Sequence, residues 1–191
     1  MLIAKIVSTR STCNSRPTGA VIVKDNHILS TGYNGAMPGA PHCSDQPDWE
    51  GHAFCFRRAH GVPDIDKYNF CKASHAEANA IAQAARYGVA IKGATLYVTL
   101  QPCFVCLKLL ATAQIKGIYF ELAYGSDDAA RDEFWKDAVA AAGFEVFQHL
   151  TITPGALEFI LPSLTGMTSK RRLTATAAGQ EPHFVGVMES E

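Results

Sequence analysis

His75-Ala76-Glu77 and, further along the chain, Pro102-Cys103-Phe104-Val105-Cys106 bring an imidazole, a carboxylate and two thiols into one sequence. Either group alone is weak evidence. A lone His75 reads most simply as a core histidine and Glu77 as a solvated helix carboxylate, while Cys-x-x-Cys also serves redox chemistry. Taken together they offer a divalent metal three ligands. Cys103 and Cys106 lie three apart at the expected start of a helix, so both sulfurs face one side. The helix dipole and its unsatisfied N–H groups favour thiolate there. Two thiolates and one imidazole suit zinc and leave the fourth tetrahedral position to water, the mark of a catalytic rather than a structural site. The metal lowers the pKa of that water toward ~7. Glu77, two residues from His75, can carry protons beside it, as a hydrolysis with several proton transfers requires. A redox reading leaves His75 and Glu77 without use.

These residues need elements to hold them. Residues 2–9 have helix-like apolar spacing. Residues 19–24 form a β-branched run, Asp25-Asn26 signals a turn, and residues 27–33 read as the return strand of a hairpin. Residues 76–87 are helical and stop at Gly88. A strand over 94–100 leads to Pro102, which opens a helix over 103–114. A strand over 115–122, an amphipathic helix over 128–142 and a short strand over 144–147 complete the pattern. A hairpin followed by alternating strands and helices implies an α/β fold with a mixed sheet and helices on its faces. Residues 34–72 break the pattern. They are rich in Gly, Pro, His and Cys, and too long for a structureless loop. They must hold a short helix near 54–59, or be held by something other than a core. Residues 1–150 read as one domain. Residues 151–191 read as an extension with a helical turn over 157–164. From Lys170-Arg171-Arg172 onward the extension is polar, aperiodic and partly mobile, with phosphate binding by the basic triplet as the alternative.

Composition narrows the class. The 191 residues are 48% hydrophobic, enough for a core and too apolar for wholesale disorder. No stretch reaches the ~18 apolar residues of a membrane span, and the first residues lack a signal-peptide pattern. Seventeen basic residues against eighteen acidic ones argue against a partner such as long nucleic acid and favour a small molecule. Six cysteines without a secretion signal point to metal or catalysis and to the cytoplasm.

Together with the zinc motifs, several stretches resemble one family. They are Ser11-Thr12-Cys13, Gly19-Ala20-Val21-Ile22-Val23, Ser30-Thr31-Gly32-Tyr33-Asn34-Gly35, His42-Cys43 and Ala94-Thr95-Leu96-Tyr97-Val98-Thr99-Leu100. From about residue 11 to residue 147 the sequence is similar to the cytidine and deoxycytidylate deaminases, most closely the deoxycytidylate (dCMP) branch. The resemblance implies a three-layer α/β/α cytidine-deaminase-like fold with a central five-stranded mixed sheet. It implies zinc-dependent hydrolysis of dCMP to dUMP and ammonia, supplying dUMP for thymidylate synthesis. His75, Cys103 and Cys106 would hold the catalytic zinc and Glu77 would move protons. Asn34 would bond the sugar, the Ala76 N–H the pyrimidine O2, and the Gln101 carbonyl the exocyclic amine. Tyr124 would line the pocket, or be an ordinary residue at a strand end. In related enzymes the stretch containing Gly32, Tyr33 and Gly35 belongs to an effector site for dCTP and dTTP in a homo-oligomer, a hexamer. Gly125 departs from the acidic residue that members often carry after the tyrosine.

Some members hold a second, structural zinc in the Cys-rich region. Here Cys13, Cys43, Cys55 and Cys71, with His42 and His60, are the candidate ligands, Cys43 and Cys71 foremost. The alternative is thiols without metal. The substrate phosphate requires cations, for which Arg16, Lys24, Arg57, Arg58 and Arg86 are candidates that the sequence does not separate. Two rival functions stay open. One is the same chemistry on dCTP, a modified deoxycytidylate or a nucleic-acid base. The other is a non-catalytic zinc-stabilised binding protein, against which the retained Glu77 speaks.

Overall fold

The computed structural model describes residues 1–63, 70–123, 129–165, 170–174 and 183–187. The chain forms two units, Met1–Thr151 and Ile152–Glu191. In the first, β1 (Gly19–Lys24) and β2 (His27–Tyr33) make the expected hairpin. Asp25 and Asn26 turn it with φ of 50° and 61°, the left-handed backbone that a tight two-residue hairpin turn demands. β5 (Thr95–Leu100), β6 (Gly117–Leu122) and β7 (Val146–His149) complete a five-stranded sheet in the order β2-β1-β5-β6-β7. The β1 strand is antiparallel to both neighbours, whereas β5, β6 and β7 run parallel. Parallel neighbours need crossovers, supplied by the helices Phe104–Thr112 and Ala129–Ala141, α4 and α5.

Two glycines reveal the layers. Successive strand residues face opposite sides. A side chain on Gly19 would strike Ala4 and Ser8 of α1 (Leu2–Ser8). A side chain on Gly32, paired with Ala20, would strike Ala76 and Ala80 of α3 (Ala76–Arg86). Hence α1 and α3 lie on opposite faces. On the α3 face, Ala20, Ile22, Leu96, Val98, Ile118 and Phe120 form a continuous buried surface covered by Ala80, Leu107 and Leu110. Phe147 carries that surface to α5 through Trp135, with ring centroids 5.0 Å apart. On the other face the buried Glu121 carboxylate takes an ion pair from Lys5 of α1 at 2.7 Å. This is the expected three-layer α/β/α arrangement.

Residues 34–72 contain α2 (Phe56–Ala59), close to where a short helix was expected. The sequence does not announce a two-residue ladder, β3 (Gly35–Ala36) with β4 (Ala73–Ser74), which draws the ends of this segment together just before His75. The second unit holds α6 (Pro154–Thr165) and an antiparallel pair, β8 (Lys170–Thr174) and β9 (His183–Val187). That pair corrects the aperiodic reading of the tail. Leu173, Phe184, Val185 and Val187 are strand-type residues whose partners lie too far along the chain for local periodicity to reveal. Among the described residues no helix is long and apolar enough to cross a membrane.

Candidate active site

The two motifs meet where α3 and α4 begin. His75 precedes α3 in extended backbone (φ −75°, ψ 154°), and Cys103 precedes α4 in the same way (φ −72°, ψ 168°). Cys106 sits in the first turn of α4. His75 Nδ1 lies 3.5 Å from Cys103 Sγ and 3.4 Å from Cys106 Sγ. Tetrahedral zinc with ordinary Zn–S and Zn–N bonds separates such atoms by about 3.6 Å. Among the described residues no other three His, Cys, Asp or Glu side chains place their ligand atoms all within 4.8 Å of one another. Both the donor chemistry and the spacing therefore fit zinc.

The electrostatics are those of a shared anionic site. A hydrogen bond from the Cys106 thiol holds Cys103 down to about 4, and the same bond with burial pushes Cys106 up. His75 is raised, chiefly by its hydrogen bond to Cys103 and against burial. Glu77 is only 4% exposed. Burial lifts its carboxyl to about 7, opposed by its own backbone N–H, by His75 and by a hydrogen bond with Cys106. That last contact turns the carboxylate toward the thiols.

These groups line a cavity of about 380 Å³. Asn34, Ala76 and Gln101 line it too, as expected from the sequence, whereas Tyr124 lies outside the described residues. Asn34 is buried with its amide fixed. Its Oδ1 accepts from Ser11 Oγ at 2.6 Å and the Thr18 N–H at 2.8 Å, and Nδ2 donates to the Arg16 carbonyl at 2.9 Å. One N–H of Nδ2 is left for a ligand's acceptor. Ser11 stood within a recognised motif and Thr18 in no motif at all; their service to Asn34 is a tertiary contact that spacing does not encode. Gln101 is anchored through its own N–H to the Leu122 carbonyl at 2.8 Å.

The remaining candidates divide. All four cysteines of the proposed second site, Cys13, Cys43, Cys55 and Cys71, line this same cavity. Burial pushes the Cys71 thiol up, and the other three thiols add to the rise. His42 and His60 do not join that lining. His42 Nδ1 pairs with Thr12 Oγ1 at 3.1 Å, and His60 Nδ1 turns back to the Phe56 carbonyl at 2.8 Å. Arg16, Arg57 and Arg58 line the cavity; Lys24 and Arg86 do not. Lys24 Nζ instead donates to the Lys92 carbonyl at 3.0 Å. Lys72 and Ser15 line it without having been foreseen. Gly32 and Gly35 are packing positions, pressed against α3 and the Thr12 hydroxyl, and Tyr33 between them is exposed.

Residues 1–122 match the family model for the cytidine and deoxycytidylate deaminase zinc-binding region. The chain belongs to the cytidine and deoxycytidylate deaminase family. Among this family's members, the deoxycytidylate deaminase of Enterobacteria phage T4 is 36% identical over 169 residues, spanning 76% of this chain and 85% of that one. The deoxycytidylate deaminase of Mycobacterium phage D29 is 41% identical over 123 residues, 62% of this chain and 88% of that one. In fold, this deaminase-family chain is similar to the dCMP deaminase of cyanophage S-TIM5 solved in complex with dCMP and dUMP. That match has a TM-score of 0.56 at 27% identity over 77% of this chain and 91% of the other. Zinc binding is a property of the family, and the His/Cys/Cys group provides a donor set for it.

Proposed function

We propose that this chain hydrolyses dCMP to dUMP and ammonia. The observation that carries the reading is a buried carboxylate hydrogen-bonded to a three-donor metal site, inside a cavity large enough for a nucleotide. Zinc held by His75, Cys103 and Cys106 would supply the Lewis acidity that makes water nucleophilic at neutral pH. Glu77 accepts the proton that water gives up and passes it to N3 of the ring. The C4–O bond forms with that transfer; Glu77 then takes the proton of the new C4 hydroxyl and delivers it to the amine as the C4–N bond breaks. Burial beside the metal donors shields the carboxylate from bulk water, so that the protons it takes up pass to the substrate. The Ala76 N–H, in the first turn of α3 where helix N–H groups lack partners within the helix, holds the pyrimidine O2. The Gln101 carbonyl receives the amine, and Asn34 donates to the sugar.

Cys13, Cys43, Cys55 and Cys71 line one cavity, and although no three of their sulfurs lie within 4.8 Å of one another, a structural zinc that drew them together would give residues 34–72 the rigidity their composition lacks. Homo-oligomeric assembly in the cytoplasm completes the reading. Phe104, Val105 and Leu109 give a second copy an apolar face on α4, and a dCTP or dTTP effector would meet the exposed Tyr33 rather than the filled glycines. The deciding experiment is an ammonia-release assay over dCMP, dCTP, deoxycytidine, cytidine and a tRNA anticodon stem, with metal analysis of the same sample. We expect turnover of dCMP foremost and two zinc ions per chain. Zinc-loaded protein inert toward the whole panel would overturn the enzymatic reading in favour of a binding protein.

Asn34→Asp tests the sugar contact. It sets a carboxylate oxygen against the Arg16 carbonyl and removes the donor. A loss of about 1–3 kcal/mol in unfolding stability is expected, together with a raised KM for dCMP. An unchanged KM would remove Asn34 from the binding site.

A further inference from the structure

The strand β2 stands at the edge of the central sheet. An edge strand turns a row of N–H and C=O groups outward, where no further strand meets them. Here α3 meets two of them with side chains. Asn79 Nδ2 donates to the Tyr33 carbonyl at 2.7 Å, and Gln83 Oε1 accepts the Thr31 N–H at 2.7 Å. Between these two strand residues, Gly32 lets Ala76 and Ala80 press directly on the strand. Positions 76, 79, 80 and 83 share one face of a helix. The helix is therefore held on β2 by two side-chain clips one turn apart, with a bare glycine under the same face.

The two clips differ in what they reach. Gln83 lies near the far end of α3, about 12 Å along the axis from His75, and neither it nor Thr31 lines the cavity. Asn79 lies one turn from His75, and its backbone N–H donates to the His75 carbonyl at 2.9 Å. Its side chain holds the carbonyl of the peptide that joins Tyr33 to Asn34. From the other side the chain before β1 pins the same junction. The Asn34 N–H donates to the Thr18 carbonyl at 3.1 Å, and the Asn34 carbonyl accepts the Thr12 N–H at 3.2 Å. Asn79 thus adds a hydrogen bond from the very helix that follows His75 and carries Glu77. We infer that Asn79 is a positioning residue for the reaction. It holds the Tyr33–Asn34 peptide against the start of α3 and so sets the span between the sugar donor Asn34 and the groups that meet the base, Ala76 and Glu77. This rests on the reading of Asn34 as the sugar's partner. Loss of the Asn79 amide frees Asn34 to shift while the metal donors stay in place, because the backbone bond to His75 survives any change of side chain.

The test compares Asn79→Ala with Gln83→Ala, which removes the other clip from the same helix and the same strand. Alanine is the stronger helix former, so α3 itself survives both changes. Three quantities are measured on each protein: kcat and KM for dCMP, bound zinc, and amide hydrogen exchange of the peptide spanning residues 30–36. In Asn79→Ala, KM should rise about three- to tenfold, the worth of one hydrogen bond, with kcat and zinc near wild type. Such a split marks lost ground-state binding rather than a damaged catalytic site. Exchange at Asn34 should quicken with it. Gln83→Ala should keep the wild-type KM and the wild-type exchange at Asn34. Asn79→Asp keeps the shape, loses the donor and should raise KM at least as far, whereas Asn79→Gln keeps an amide on a longer stem and should recover part of the loss. An unchanged KM in Asn79→Ala, or the same rise in Gln83→Ala, would overturn the inference and leave both residues as plain fasteners of a helix. Should wild type not turn over dCMP, the substrate reading falls by itself. The exchange at Asn34 then decides alone whether Asn79 holds that peptide, and equal exchange in Asn79→Ala and wild type would overturn the inference.

Discussion

Replacing Glu77 by Gln is expected to lower dCMP turnover about a thousandfold while bound zinc stays in place. The amide keeps the shape of the side chain in a site only 4% exposed. It also removes the cost of burying a charge, so the variant should fold. What it cannot do is accept a proton from water and hand it on. Positioned acid–base catalysis is worth about 10²–10⁴-fold, and here one group serves several transfers in succession, which places the expected loss inside that range. The measurement pairs kcat with metal analysis, because loss of activity together with zinc would report a damaged metal site rather than a missing proton carrier. Near-normal turnover by Glu77→Gln with zinc bound would remove the carboxylate from the mechanism. His75, Cys103 and Cys106 would then need another proton acceptor in the cavity, and among its described lining no other carboxylate exists.

The catalytic constellation was legible in the sequence because its spacing is local. His75 and Glu77 sit two apart where α3 begins, and Cys103 and Cys106 three apart where α4 begins, so a single extended-to-helix junction delivers each pair to one place. The strand order could not be read in this way, but an opening hairpin followed by alternating strands and helices allowed few other arrangements. Long-range contacts stayed hidden. Nothing in the spacing says that Ser11 and Thr18, 23 and 16 residues from Asn34, will fix its amide. Nor does composition separate Arg57 and Arg58, which face the cavity, from Lys24, which caps a distant carbonyl. The β3–β4 ladder is two residues long, too short for any periodicity to show. His42 and His60 were plausible ligands by proximity in sequence to the cysteines, and their Nδ1 atoms meet Thr12, thirty residues away, and the Phe56 carbonyl.

Gly32 and Gly19 offer a matched pair of substitutions that separates fold from site. In Gly32→Ala the new methyl would collide with the Ala76 carbonyl oxygen and the Ala80 nitrogen. In Gly19→Ala it would collide with the Ala4 carbonyl oxygen and the Ser8 nitrogen. Both clashes are with helix backbone, so a helix must move, at a cost of about 1–3 kcal/mol. For a chain of this size that lowers Tm by roughly 2–12 °C, in both variants alike. Activity should part them. Gly32→Ala pushes away the first turn of α3, which carries His75, Ala76 and Glu77, and a displacement near 1 Å costs about a hundredfold in rate. Gly19→Ala pushes α1, on the face of the sheet opposite the metal-binding residues, and should leave kcat/KM close to wild type. Thermal unfolding and kcat/KM for dCMP, measured well below both Tm values, decide the matter. If Gly32→Ala keeps full activity, or if Gly19→Ala loses as much, the seating of α3 on β2 does not set the geometry of the active site.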